Sequence, residues 1–153
     1  MRLSSQTNNA VKVLVFCARS DSETVTVPEI AAACDITEFN VFKLVPLLVK
    51  AGMMLTIRGR GGGVRLRQSP HEISIGKVVR ATETLFQPVQ ADVPESDADE
   101  PADYPSMVDG AFLAFVEFLD QKTIADLAGI ETSQPERKPG GPADRPRQTA
   151  IKG

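Results

Sequence analysis

Side chains that carry redox, metal or catalytic chemistry are scarce in this sequence, which contains two cysteines, one histidine and no tryptophan. Two cysteines are too few for a disulfide scaffold. Cys17 and Cys34 each lie in an apolar stretch, where a free thiol usually packs as a small hydrophobe. His71 follows Pro70 in a predicted turn and is interpreted as a surface side chain. No nucleophile–base pair, metal-ligand cluster or phosphate-binding loop is evident, so we expect neither an enzyme nor a bound cofactor or metal.

Long hydrophobic runs are also absent. No stretch approaches the roughly 18 continuous apolar residues of a membrane span. The first four residues lack the apolar run of a signal peptide. We therefore expect a cytoplasmic protein that does not associate with a membrane.

Positive charge is in deficit overall but not locally. The chain carries a net charge of −3. Residues 1–83 hold 11 Lys/Arg and 7 Asp/Glu, a net charge of +4, whereas residues 84–153 hold 6 and 13, a net charge of −7. Such asymmetry between halves indicates a basic binding surface, here in the N-terminal half.

The N-terminal half contains a predicted helix-turn-helix. Helical periodicity and capping residues predict helices over residues 8–19, 27–34 and about 37–51. Thr26 and Glu29 have the spacing of a capping box, Pro28 is tolerated in a first turn, and Thr37 can cap the next helix. Two short helices joined by about three residues form this motif. Pro46 removes a backbone hydrogen bond, which predicts a kink over residues 42–46 or a helix in two pieces.

A β-hairpin is predicted directly after the motif. Residues 53–58 have strand composition, 59–63 form a glycine-rich turn, and 64–67 alternate apolar and basic side chains. The glycine run does not open a helix or end in Gly-Lys-Ser/Thr, so nucleotide binding is not expected. A helix-turn-helix followed by such a hairpin is typical of a winged helix. A further helix is predicted from Ile75 to about Leu85.

The C-terminal half divides into three segments. Residues 86–105 are predicted to form an acidic, proline-punctuated loop. A strongly apolar helix is predicted over 106–121, within a unit that spans 106–129. Residues 130–153 are predicted to form a disordered tail. The apolar helix covers more of its circumference than one buried stripe requires. We interpret it as a dimerisation helix, with a hydrophobic ligand pocket as the alternative. Its predicted interface residues are Met107, Phe112, Phe115, Phe118 and Leu119.

The winged-helix interpretation, over residues 1–85, predicts the DNA contacts. The second helix of the motif fits the major groove, anchored by Phe39, Leu44 and Leu48, and the hairpin lies beside the minor groove or phosphates. The hairpin carries Arg58 and Arg60, although arginines taken one by one are more often solvated surface charges. The predicted DNA-binding residues are Thr37, Glu38, Asn40, Val41, Lys43, Arg58, Arg60, Gly61, Gly62 and Arg65.

Several motifs resemble those of a known family. They are Arg2-Leu3-Ser4, Lys50-Ala51-Gly52, Gly62-Gly63-Val64-Arg65-Leu66, Ile75-Gly76-Lys77-Val78-Val79-Arg80-Ala81 and Thr123-Ile124-Ala125-Asp126-Leu127. Over about residues 1–129 the chain resembles the Rrf2 family of winged helix-turn-helix transcription regulators. This resemblance implies a dimer held by the long helix and repression at promoters with dyad symmetry.

The sequence departs from this family in one respect. Many members hold an iron–sulfur cluster with three cysteines in the loop before the dimer helix, and such clusters need thiolate ligands. Residues 84–110 contain no cysteine or histidine. Gln90 lies near the first expected cysteine, and Asn8 stands where some members have an acidic ligand.

The sequence thus predicts a mainly α winged helix-turn-helix protein with a two-stranded β-wing and a long C-terminal dimerisation helix. Its predicted function is that of a homodimeric DNA-binding repressor without an iron–sulfur cluster, whose partner is double-stranded DNA with a palindromic operator. Two alternatives stay open. One is a protein-interaction module that kept the fold and lost DNA binding, and the other is a thiol- or metal-based redox sensor that uses Cys17 and Cys34.

Overall fold

The fold is mainly helical, with one two-stranded antiparallel sheet, as the sequence predicts. The computed structural model describes residues 2–83 and 104–131. The elements are α1 (Ser5–Arg19), α2 (Val27–Cys34), α3 (Glu38–Lys50), β1 (Met54–Ile57), β2 (Gly63–Leu66), a 3₁₀ turn (Pro70–Glu72), α4 (Ile75–Thr82), α5 (Tyr104–Asp120) and α6 (Ile124–Ala128). The tail from 132 onward and most of the predicted acidic loop lie outside the described residues.

The helix-turn-helix follows from local capping chemistry. The N-cap Thr26 donates its backbone N–H to the Glu29 carboxylate at 2.6 Å, which starts α2. Asp35 adopts a left-handed conformation (φ 53°) that ends α2 and turns the chain. The Thr37 hydroxyl then accepts from the Asn40 N–H at 3.3 Å and starts α3. A side-chain oxygen at the N-cap satisfies one of the helix's free N–H groups.

Several helix boundaries differ from the predictions, and one of the two alternatives predicted for α3, a helix in two pieces, is wrong. α1 begins at Ser5, not at residue 8, because the Ser4 hydroxyl caps it by accepting from the Thr7 N–H. α5 begins at Tyr104, two residues before its predicted start. α3 is one helix and not two pieces, although Pro46 lies inside it. Its buried residues on both sides of the proline, Leu44 and Leu48, hold the two halves against one core.

The wing contains a backbone pairing that the sequence did not predict. β1 and β2 pair in antiparallel register from Met54 opposite Leu66 to Ile57 opposite Gly63. Val25, which precedes α2, exchanges two further backbone hydrogen bonds with Val64, at 2.9 and 2.8 Å. The wing is therefore fixed, near its turn, to the segment that leads into the helix-turn-helix.

A compact joint connects α4 to the long helix α5. Asp120 of α5 accepts hydrogen bonds from the Ser74 hydroxyl and from the Arg80 guanidinium, whose Nη2 lies 2.6 Å from Oδ2. The hydrogen bonds from Arg80 hold the pKa of Asp120 below its ordinary value. Gly76 permits this approach, because a Cβ there would collide with Asp120 and lie 2.8 Å from the Val116 carbonyl oxygen.

Replacing Gly76 by alanine is expected to destabilise the fold by about 1–3 kcal/mol, since overpacking forces neighbouring groups to shift. Urea denaturation at a fixed protein concentration measures the change. Gly110→Ala is the matched control, because a Cβ at Gly110 meets nothing within 4 Å. That substitution is expected to be neutral or to stabilise by up to about 1 kcal/mol through helix propensity. Equal stabilities for the two variants would show that the approach of α5 to Gly76 is not tight.

Candidate nucleic-acid interface

The outer face of α3 presents most of the predicted DNA-binding residues. Glu38, Asn40 and Lys43 are exposed, and Thr37 caps the helix directly before them. Val41 was wrongly placed in this set, because its side chain is completely buried. Val41, Leu44 and Leu48 have i, i+3, i+7 spacing, so all three lie on the face of α3 that packs on the core.

The predicted position of Phe39 on the same helix is wrong in the opposite sense. Phe39 was predicted to anchor α3, but its side chain is 64% exposed. Around the helix it lies nearly opposite the buried face formed by Val41, Leu44 and Leu48. The Lys43 ammonium lies over its ring, 4.3 Å from the centroid. Hydrophobicity alone suggested a core position, whereas helical phase relative to Leu44 and Leu48 would have placed Phe39 outside.

The tip of the wing is built by backbone that needs glycine. Gly59 and Gly61 have positive φ angles of 99° and 78°. A Cβ on Gly62 would lie 2.5 Å from the Ile57 carbonyl oxygen, so a side chain does not fit there. The Thr24 hydroxyl donates to the Gly61 carbonyl at 3.1 Å, which ties the tip to the segment before α2. These contacts give the tip a defined turn conformation.

The wing arginines are available to a ligand. Arg58, Arg60 and Arg65 are all exposed. Within residues 2–83 and 104–131, the one ion pair joins Arg80 to Asp120, so no described carboxylate neutralises the three wing arginines. Guanidinium groups form bidentate hydrogen bonds with phosphate, and narrow minor grooves attract arginine. The wing can therefore contact a polyanion.

The predicted dimerisation residues divide between two faces of α5. Phe115 and Leu119 are half-buried and pack against the core of their own protomer, next to the fully buried Val116. Phe112 is also half-buried. Met107 and Phe118, in contrast, are 64% and 65% exposed.

An apolar stripe runs along the exposed face of α5. Its members are Met107, Ala111, Ala114 and Phe118, all exposed. Their 4-3-4 spacing is the heptad spacing that aligns side chains along one helix face. Alanines in the middle of the stripe would let a second helix approach closely. The two ends of this stripe are among the predicted dimerisation residues, whereas the alanines are not.

The two cysteines do not form a thiolate site. Burial raises the pKa of Cys17 to about 12 and also raises that of Cys34. A thiol that stays protonated is a poor metal ligand and a poor nucleophile. In the part of the chain that the structure describes, no three His, Cys, Asp or Glu side chains are grouped as metal ligands would be. With no cysteine or histidine in residues 84–110, the chain's donor set does not fit a three-cysteine cluster.

The geometry defines a class of protein. A short turn between two helices, an exposed second helix and an arginine-bearing glycine hairpin directly after it form a winged helix-turn-helix DNA-binding regulator. The chain belongs to the Rrf2 family, whose model, described as an iron-dependent transcriptional regulator, matches residues 3–129.

Relatives support the same assignment. The chain is 40% identical over 131 residues to the HTH-type transcriptional regulator NsrR of Geobacillus kaustophilus, covering 83% of this chain and 89% of that protein. It is 38% identical over 133 residues to the protein aau3 of Rhizobium meliloti, covering 83% and 84%.

Solved structures confirm the winged-helix fold. The chain superposes on IscR of T. potens with a TM-score of 0.65 at 22% identity, covering 92% of this chain and 94% of the other. It superposes on CymR, the global cysteine regulator of B. subtilis, with a TM-score of 0.64 at 27% identity, covering 86% and 99%. The predicted family, fold class and role in DNA-binding transcription regulation are thus confirmed. Among the described residues, no helix combines the length and apolar character needed to cross a bilayer.

Proposed function

We propose that this regulator is a homodimeric repressor that binds a palindromic operator through α3 and the wing. The observation that carries the proposal is the unneutralised set of exposed arginines on the wing beside the exposed N-terminal turns of α3. The proposed DNA contacts are those of Thr37, Glu38, Asn40, Lys43, Arg58, Arg60, Gly61, Gly62 and Arg65. Lysine and arginine would contact phosphates and set the register, while Asn40 can hydrogen-bond to base edges.

The exposed stripe on α5 supports the dimer. Two protomers that bury Met107 and Phe118 against each other would remove large apolar side chains from water. A twofold-symmetric dimer places its two recognition helices on half-sites about one helical turn apart, which accounts for a palindromic site. We also propose that the chain divides into functional units after residues 85, 105 and 129.

We further propose that the protein acts without an iron–sulfur cluster, because its two cysteines are a half-buried thiol in α1 and a buried thiol in α2. The Geobacillus relative named above is a transcriptional regulator, and we propose that this chain likewise has no enzymatic activity. The cytoplasmic location is part of the same proposal and rests on the sequence. A thiol sensor is disfavoured by the raised pKa values of Cys17 and Cys34.

The test is selection of bound duplexes from a random-sequence DNA pool with anaerobically purified full-length protein. We expect a selected sequence with dyad symmetry, an affinity that falls steeply with salt, and no visible absorbance from the protein. Failure to enrich any sequence would favour the alternative of a protein-interaction module that has lost DNA binding. A coloured, iron-containing sample would contradict the cluster-free proposal while leaving DNA binding intact.

A further inference from the structure

The face of α3 that points away from the core carries an unexpected apolar group. Recognition helices contact base edges mainly through residues near their N-terminus. Phe39 is the second residue of α3, and 64% of its side chain is exposed. A phenyl ring cannot donate or accept a conventional hydrogen bond, so its contribution in a groove would come from apolar contact.

Phe39 differs from the other exposed aromatic residue of the helix. Phe42, 60% exposed, lines a groove of about 250 Å³ between α3 and the wing, together with Pro46 and Ile57. Phe42 therefore already borders protein. Phe39 does not line that groove, and its described partner is the Lys43 ammonium 4.3 Å from the ring centroid.

The charge beside Phe39 indicates what would cover the ring. Lys43 holds a cation over one face, and the exposed Arg58 and Arg60 of the wing add further positive charge to the N-terminal half of the chain. A polyanion is attracted to this surface, whereas a purely apolar protein partner would have to bury the lysine charge. In the major groove, the apolar group that base pairs present is the C5-methyl of thymine.

We propose that Phe39 is a specificity-determining residue that packs on the C5-methyl group of a thymine in each half-site. This inference rests on the proposed function, because it requires α3 to lie in the major groove. Loss of one methyl contact should weaken binding about fourfold per half-site, the factor that corresponds to about 0.8 kcal/mol for one buried methylene-sized group. Loss from both half-sites should weaken binding about 16-fold.

The experiment uses the duplex selected by the wild-type protein and replaces each thymine in turn by deoxyuridine, which deletes only the methyl group. The same replacement is made at the symmetric position of the other half-site. We expect one symmetric pair of thymines to show the 16-fold loss with the wild type and less than about a twofold loss with Phe39→Ala. Phe39→Leu, which keeps an apolar side chain, should retain part of the effect.

Two further variants locate the contact. Phe42→Ala and Asn40→Ala should both keep the deoxyuridine effect of the wild type, although Asn40→Ala should change base preference elsewhere. Because Phe39 is exposed, its replacement should leave thermal unfolding unchanged, which circular dichroism checks. An unchanged methyl effect in Phe39→Ala, its loss in Phe42→Ala instead, or a wild type insensitive to every deoxyuridine would overturn the inference. Each of these outcomes leaves DNA binding itself standing, whereas failure to select any duplex removes the proposed function.

Discussion

The double variant Arg58→Ala/Arg60→Ala is expected to lose between about three and four orders of magnitude of DNA affinity at 0.1 M salt. Each arginine–phosphate contact releases about 0.9 counterion, so it contributes about eightfold at 0.1 M relative to 1 M. Two arginines in each of two protomers then account for the loss. The slope of log affinity against log salt should fall by about 3.6, and titration at several salt concentrations measures it.

The matched control is Lys122→Ala, which removes an exposed positive charge from the turn before α6, outside the wing and α3. This variant should retain the wild-type salt slope, because its charge is not placed on the DNA-binding surface. The wing variant should also lose affinity equally for the selected duplex and for unrelated DNA, since phosphates carry no sequence information. Wild-type affinity and slope in the wing variant would show that the wing does not touch DNA.

Local signals explain how much of the fold the sequence predicted. The cap at Thr26 with Glu29, the cap at Thr37 and the glycines of the wing each act within a few residues, so their effects are visible in the sequence. Capping oxygens and positive φ angles depend on neighbours along the chain and not on the tertiary fold.

Features that depend on distant residues were not predicted. Val25 pairs with Val64 across 39 positions of the sequence, and nothing near Val25 indicates that partner. Asp120 pairs with Arg80 and lies close to Gly76 only once α5 packs on α4. Contacts between residues this far apart in the sequence become visible only in the folded structure.

Orientation around a helix was the other source of error. From the sequence, Phe39 is predicted to face the core and Val41 to face DNA. The structure reverses both, because the phase of α3 is set by Leu44 and Leu48. An exposed phenylalanine departs from the usual local pattern, and such departures are common at functional sites. Phe39 therefore replaces Val41 among the candidate DNA contacts of α3.

The variant Met107→Lys/Phe118→Lys is expected to be a monomer, because it places charges in the proposed dimer interface. Truncation of an aromatic anchor that an interface buries costs about 2 kcal/mol, and a twofold interface contains each anchor twice, so Phe118 alone accounts for about 4 kcal/mol. The dimer dissociation constant should therefore rise at least about 1000-fold. Sedimentation equilibrium should show the 16.5 kDa chain mass for the variant and about twice that mass for the wild type.

Leu127→Lys provides the control, because Leu127 is also an exposed apolar residue, 48% accessible, but lies on α6. It should remain a dimer with wild-type affinity for the selected duplex. The monomeric variant should lose the preference for dyad-symmetric DNA, since one protomer contacts a single half-site and no longer adds the binding energy of its partner. Phe118 and Met107 lie outside the core cluster, so the monomer should keep its helical circular dichroism spectrum. A folded variant that stays dimeric would show that the stripe on α5 is not the dimer interface. Binding to two half-sites would then depend on a different contact between the protomers.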